Sequence, residues 1–142
     1  MKVPRVFIID TNVLVSGFIS SQVNSPTVSI VDAMLNGSIV YLMSADLLQE
    51  YRSVLLRPRL CKLHKLNEHQ IDTILSEITA NAVWHEVVVN SEEQSPDPGD
   101  YHLWNLLATE SSAILVTGDQ LLLANPPQCS SVISPTNCIK LL

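Results

Sequence analysis

Four acidic residues stand where the surrounding pattern calls for apolar ones. Asp10 ends the run "VFII" (residues 6–9), and Asp119 follows "AILV" (113–116) after only Thr117 and Gly118. Asp100 lies three, four and seven positions before Leu103, Trp104 and Leu107, so on a helix it shares their face. Glu50 is three after Leu47 and four before Val54, at the edge of the apolar arc of Leu47, Leu48, Tyr51, Val54 and Leu55. A carboxylate turned toward a core costs free energy unless something compensates it. Several gathered together also repel one another and raise their pKa values. A divalent cation answers both difficulties, because hard cations prefer carboxylate, amide and hydroxyl oxygens. No His or Cys shows the spacing of a zinc site, which points to Mg2+ or Mn2+. Such a cation lowers the pKa of a bound water and stabilises charge on a phosphate, which is the chemistry of metal-dependent nucleases.

Taken singly, each acid has a plainer explanation. Asp10 and Asp119 are the residue type common at strand-to-helix turns. Asp100 fits a capping arrangement with Asp97 as N-cap and Pro98 at the first helical position. Glu50 could simply reach solvent. Four such placements together are harder to assign to turns and caps.

The elements that must position these acids follow from hydrophobic period and punctuation. Residues 5–9 read as a buried strand, and 26–36 as a helix with Pro26 early and Gly37 just past its end. Residues 39–43 are a second strand, after which Ser44 caps a helix to about Leu56. A helix at 67–81 opens at Asn67, residues 83–89 form an edge strand, and "NSEEQSPDPGD" is a polar loop. A helix from about Pro98 to Glu110, the strand 113–116, a last strand at 131–134 and a short helix opened by Pro135 complete the chain. Strands separated by helices imply right-handed crossovers and an α/β fold of three layers, α/β/α, around a central parallel sheet of about four or five strands. Sites in such sheets form beyond the carboxyl ends of the strands. Asp10 and Asp119 both lie there, and neighbouring strands roughly 4.8 Å apart would bring them together.

Bulk properties agree with one globular domain over residues 1–142. Hydrophobic residues are 46% and charged residues 15%, which excludes a disordered chain. A net charge of −6 argues against nucleic-acid binding by bulk electrostatics, yet leaves room for a site that gathers acids around a cation. Cys61, Cys129 and Cys138 are odd in number and read as free thiols in a reducing, cytoplasmic compartment. No apolar run reaches the roughly 18 residues of a membrane span, and Asp10 and Asn12 interrupt the one candidate for a signal peptide.

The segments "FIIDTNVLVSG", "LLQEYRSVLLRPRL", "DPGDYHLWNLLA" and "ILVTGDQLL" occur in the order seen in PIN-domain nucleases. The chain resembles the group of that family that holds the toxin components of bacterial toxin–antitoxin pairs, and the closing "SPTNCIKLL" is similar to the last helix of that group. The resemblance implies a parallel sheet flanked by helices and RNA cleavage dependent on Mg2+ or Mn2+. It places Asp10, Glu50, Asp100 and Asp119 at the catalytic, metal-holding positions and Asn12, Ser16 and Thr117 at polar positions lining the site. One departure is clear. Members of the family commonly carry a further acid two places after the strand-end Asp, where this chain has Leu121, and this leaves open whether one metal or two is held.

Other features carry weaker signals. Five of the eight basic residues, Arg52, Arg57, Arg59, Lys62 and Lys65, fall between positions 52 and 65. They read either as contacts for RNA phosphates or as cations near a helix C-terminus. Trp84 and Trp104 read as core residues, and His64, His69, His85 and His102 form no ligand set by spacing. Leu55, Leu56, Leu60, Leu63 and Leu66 offer apolar surface for a homodimer or for the helix of an antitoxin. A haloacid-dehalogenase-like phosphatase would need a second Asp where this chain has Asn12. A PIN-like domain that binds RNA or protein with little or no catalysis is the remaining alternative.

Overall fold

The first apolar run becomes the middle of the sheet. The computed structural model describes residues 5–86, 91, 93–128 and 130–142. Strand β1 (Val6–Ile9) passes through Asp10 into α1 (Thr11–Ile19), then α2 (Pro26–Asn36). Strand β2 (Val40–Met43) precedes α3 (Ala45–Leu55), α4 (Pro58–His64) and α5 (Glu68–Asn81). After β3 (Val83–Trp84), a 3₁₀ turn (Pro98–Asp100) opens α6 (Tyr101–Thr109). Strand β4 (Ile114–Val116), α7 (Gln120–Ala124), β5 (Ser131–Ile133) and α8 (Pro135–Lys140) follow. The five strands lie in the order β3-β2-β1-β4-β5 and every pairing is parallel. The architecture is the expected three-layer α/β/α.

Local chemistry explains most boundaries. Ser44 accepts a hydrogen bond from the Leu47 amide and starts α3. Asn67 and Gln70 form a reciprocal capping box at the head of α5. Gly37 ends α2 at φ +77°, a left-handed conformation that costs glycine nothing. The central strand is sealed on both sides, with Phe7, Ile8 and Ile9 buried, as are Leu14, Ile30, Met34, Tyr41, Leu47, Leu103 and Leu115. Two buried tyrosines satisfy their hydroxyls on the backbone, Tyr41 on the Ile78 carbonyl at 2.6 Å and Tyr51 on the Ile9 carbonyl. Tyr51 thereby ties α3 to the last residue of β1, next to Asp10.

Several expectations are corrected. Helices α1, α4 and α7 arise where periodicity shows none, because "TNVLVSGFI" is apolar almost all round and the other two are only seven and five residues long. The helix expected from Pro98 to Glu110 divides into the 3₁₀ turn and α6, since the Asp97 carboxylate takes the Gly99 amide at 2.9 Å and tightens the first turn. Strand β3 is shorter than the expected 83–89, and residues 87–89 lie outside those described. Trp104 is core, but Trp84 is 48% exposed because β3 is an edge strand, paired among the described residues with β2 alone. Cys61 and Cys138 are free thiols, half-buried and buried, while Cys129 lies outside the described residues. Of the leucines in the basic segment, Leu55 is core, Leu56, Leu60 and Leu66 pack against it, and Leu63 is 54% exposed. No helix among the described residues is long and apolar enough to cross a membrane.

Candidate metal centre

Sheet register brings the two strand-end acids together. Ile9 pairs with Val116, and the Asp10 amide donates to the Val116 carbonyl at 2.9 Å, so the chain leaves β1 and β4 side by side. Thr117, fully buried, donates its hydroxyl to Asp10 Oδ2 at 2.7 Å and accepts the Asp119 amide at 3.0 Å. Asn12 donates to Asp10 Oδ2 at 3.2 Å and accepts the Gly118 amide at 3.0 Å. Asp10 Oδ1 takes the Thr11 amide at 2.8 Å, at the start of α1. Thr117 and Asn12 therefore brace Asp10, Asn12 from the wall of the cleft that it lines. Ser16 is paired with Thr27 at 3.1 Å on the wall of the cleft.

Helices α3 and α6 bring the other acids to the same point. Asp10, Glu50 and Asp100 each present an oxygen, and these atoms lie within 4.8 Å of one another. Asp119 lines the same cleft of roughly 390 Å³ but is not one of the three converging donors, and its carboxylate caps α7 through the Leu121 amide at 2.9 Å. Asp97 also lines the cleft while capping the 3₁₀ turn, and Arg57 is the single Lys or Arg among the described lining residues. Asp100 heads α6 with no capping bond from its side chain, which leaves its carboxylate free to face the other acids.

Electrostatics report the crowding. Burial, then the charges of Asp10, Asp97, Glu50 and Asp119, push the Asp100 carboxyl up to about 6. Burial also raises Asp10, against the hydrogen bonds from Thr117 and the Thr11 amide. Glu50 moves the other way because His102 donates to it; Nε2 and Oε2 are 2.5 Å apart. Burial of His102 opposes its charge, but the hydrogen bond and the charges of Glu50, Asp46 and Asp100 outweigh it and raise the imidazole. Spacing within the sequence did not single out His102; its partner is 52 positions away.

The donor set suits a divalent cation. Oxygens sharing one ion at roughly 2.1–2.5 Å can be no more than about 4–5 Å apart, and the three carboxylates meet that condition. Among the described residues no other cluster of acidic, His or Cys groups does so. The other basic residues of the 52–65 segment lie elsewhere: Arg52 is held by Asp72 at 2.8 Å and Glu68 at 2.7 Å, while Arg59, Lys62 and Lys65 are exposed on and just after α4. His64 is structural, with Nε2 on the Leu55 carbonyl and Nδ1 accepting the Leu66 amide.

The PIN domain family matches residues 6–121 of the chain, a span that holds all four acids and four of the five strands. The chain belongs to the PIN-domain family. No curated protein matches it. PIN domains are generally nucleases that use divalent metal ions, and the clustered carboxylates are compatible with that use. The match ends at Leu121, which is 51% exposed.

Proposed function

We propose that this PIN domain is an endoribonuclease that hydrolyses RNA phosphodiester bonds with Mg2+ or Mn2+, and that it is the toxin component of a toxin–antitoxin pair. The observation that carries the nuclease reading is the meeting of Asp10, Glu50 and Asp100, from three remote segments, in a cleft that also holds Arg57. Asp10, Glu50 and Asp100 would hold the ion, with Asp119 at its rim. A divalent ion bound there would lower the pKa of a water and offset charge on the phosphate. The protein supplies the rest. Thr117 and Asn12 hold the Asp10 carboxylate in one orientation, which keeps the donor set assembled before substrate arrives. Arg57, exposed at the start of α4 and lining an otherwise anionic cleft, would pair with a phosphate oxygen of RNA. The toxin assignment is supported by the four motif segments and their order. Exposed Leu63, beside Lys62, is the part of α4 available to an antitoxin helix or a second copy of the chain.

Cleavage of a mixed-sequence single-stranded RNA in Mn2+, Mg2+ or chelator tests the reading on the native chain, Asp10→Asn and Asp100→Asn, each checked by thermal melting. The expected result is metal-dependent cleavage that falls at least about 100-fold in both folded variants, since losing a ligand withdraws several kcal/mol of charge stabilisation. Metal binding without turnover on any RNA would replace the nuclease with a binding module. Absence of metal-induced stabilisation would overturn the metal centre itself.

A further inference from the structure

We propose that His102 is a positioning residue of this centre, holding the Glu50 carboxylate in place against Asp10 and Asp100. The inference rests on the metal-centre reading above and adds a residue to it. Glu50 reaches the site on a long side chain from α3, 31% exposed, and fixing such a chain costs rotamer entropy. His102, on the first turn of α6 and 14% exposed, meets that cost with a short hydrogen bond from Nε2 to Oε2. The same segment thus supplies one ligand, Asp100, and the clamp on another. Among the described residues the converging donors are the three carboxylates, so His102 acts behind the centre rather than in it.

A comparison within the molecule separates this role from ordinary packing. His64, also enclosed, has both ring nitrogens satisfied by backbone groups, Leu55 and Leu66, and links two turns of chain. In His102 the second nitrogen, Nδ1, is buried with no hydrogen-bond partner among the described residues. A histidine serving only the fold would be expected to use both. The polar interaction that His102 makes is directed at Glu50, in the manner of groups that orient metal-binding carboxylates.

The test measures Mn2+ affinity of the full chain by electron paramagnetic resonance of the free ion, beside metal-free melting temperature, for the native protein, His102→Ala, His102→Gln, Glu50→Gln and the double variant His102→Ala/Glu50→Gln. The expected result is Mn2+ binding weaker by about 10–100-fold in His102→Ala. His102→Gln, whose amide can donate to Glu50, should recover most of that loss. Once Glu50 is Gln, removing His102 should weaken binding little further. Unchanged Mn2+ affinity in folded His102→Ala overturns the proposal and leaves the metal centre standing, as does full additivity of the two losses. If His102→Ala does not fold, His102→Gln decides: near-native affinity is the expected result, and affinity as low as that of Glu50→Gln overturns it. A native protein that binds no Mn2+ overturns the metal-centre reading, and this proposal falls with it.

Discussion

Thr117 Oγ1 donates to Asp10 Oδ2 at 2.7 Å across 107 positions of sequence, joining the ends of two neighbouring parallel strands. The bond opposes the rise that burial imposes on Asp10. Thr117→Val keeps the shape and removes the donor, so the Asp10 carboxyl moves further up. Metal binding requires the ionised form. Mn2+ affinity of Thr117→Val should therefore fall roughly 10-fold, and by more at pH 6 than at pH 8. A titration at the two pH values checks this; a loss independent of pH would detach Thr117 from the ionisation of Asp10.

Asp100 makes stability depend on pH in a direction opposite to most carboxylates. Its folded pKa of about 6 lies above the ordinary 3.8, so the native state binds more protons than the unfolded state between those values. The contribution is fully present below about pH 4 and is lost as pH rises through 6. Asp100→Asn removes the charge that is strained at high pH. The metal-free variant should melt above the native protein at pH 8 and level with it near pH 4. Because Asp100 is only partly buried, solvent screening holds the effect to about 1 kcal/mol, a rise of roughly 3 °C for a chain of this size. With Mn2+ present the order should reverse, as the native protein alone gains full stabilisation from the ion.

Arg57 and Arg52 should part company on RNA. Arg57 lines the acidic cleft, whereas Arg52 is engaged by Asp72 and Glu68 on the surface. Arg57→Ala should raise the KM for RNA and reduce the salt dependence of binding by about one phosphate contact, with the metal-free melting temperature little changed. Arg52→Ala should leave RNA affinity unaltered. Binding isotherms at several salt concentrations distinguish the two, and equal effects would move the RNA path away from the cleft.

Gly17 is required by the packing of α1 on α2. A Cβ there would stand 2.4 Å from Val31 Cγ2 and 2.8 Å from the Thr27 carbonyl, and the latter is backbone that cannot step aside. Gly17→Ala should destabilise the protein by about 1–3 kcal/mol by overpacking, despite alanine's better helix propensity. Chemical denaturation of the metal-free protein provides the measurement. Because α1 begins beside Asp10, Mn2+ affinity should fall with it.

Much of this architecture is legible along the chain. The bounds of α2, the N-cap at Ser44, the capping box at Asn67 and the alternation of strands with helices all come from interactions within a few residues. The inward placement of Glu50 and Asp100 is legible too, because period reports the face on which a residue sits. What period does not report is which faces meet. The exposure of Trp84 depends on the edge position of β3, while the split of the Pro98 helix and the cap that Asp119 makes at Leu121 are hydrogen bonds between residues two apart that hydrophobic period does not register. His102 is the sharpest case. By spacing it is an isolated histidine two residues past Asp100, and only the packing of α6 against α3 places it on Glu50. The sequence by itself determined the elements, their order and the acids they carry, since these depend on short-range hydrogen bonds and on one-dimensional hydrophobic pattern. The tertiary structure decided which acids share a point in space and how His102 and Thr117 brace them, because the three acids are 40 to 90 positions apart, those two contacts span 52 and 107, and all exist only once sheet order and helix docking have closed the distance.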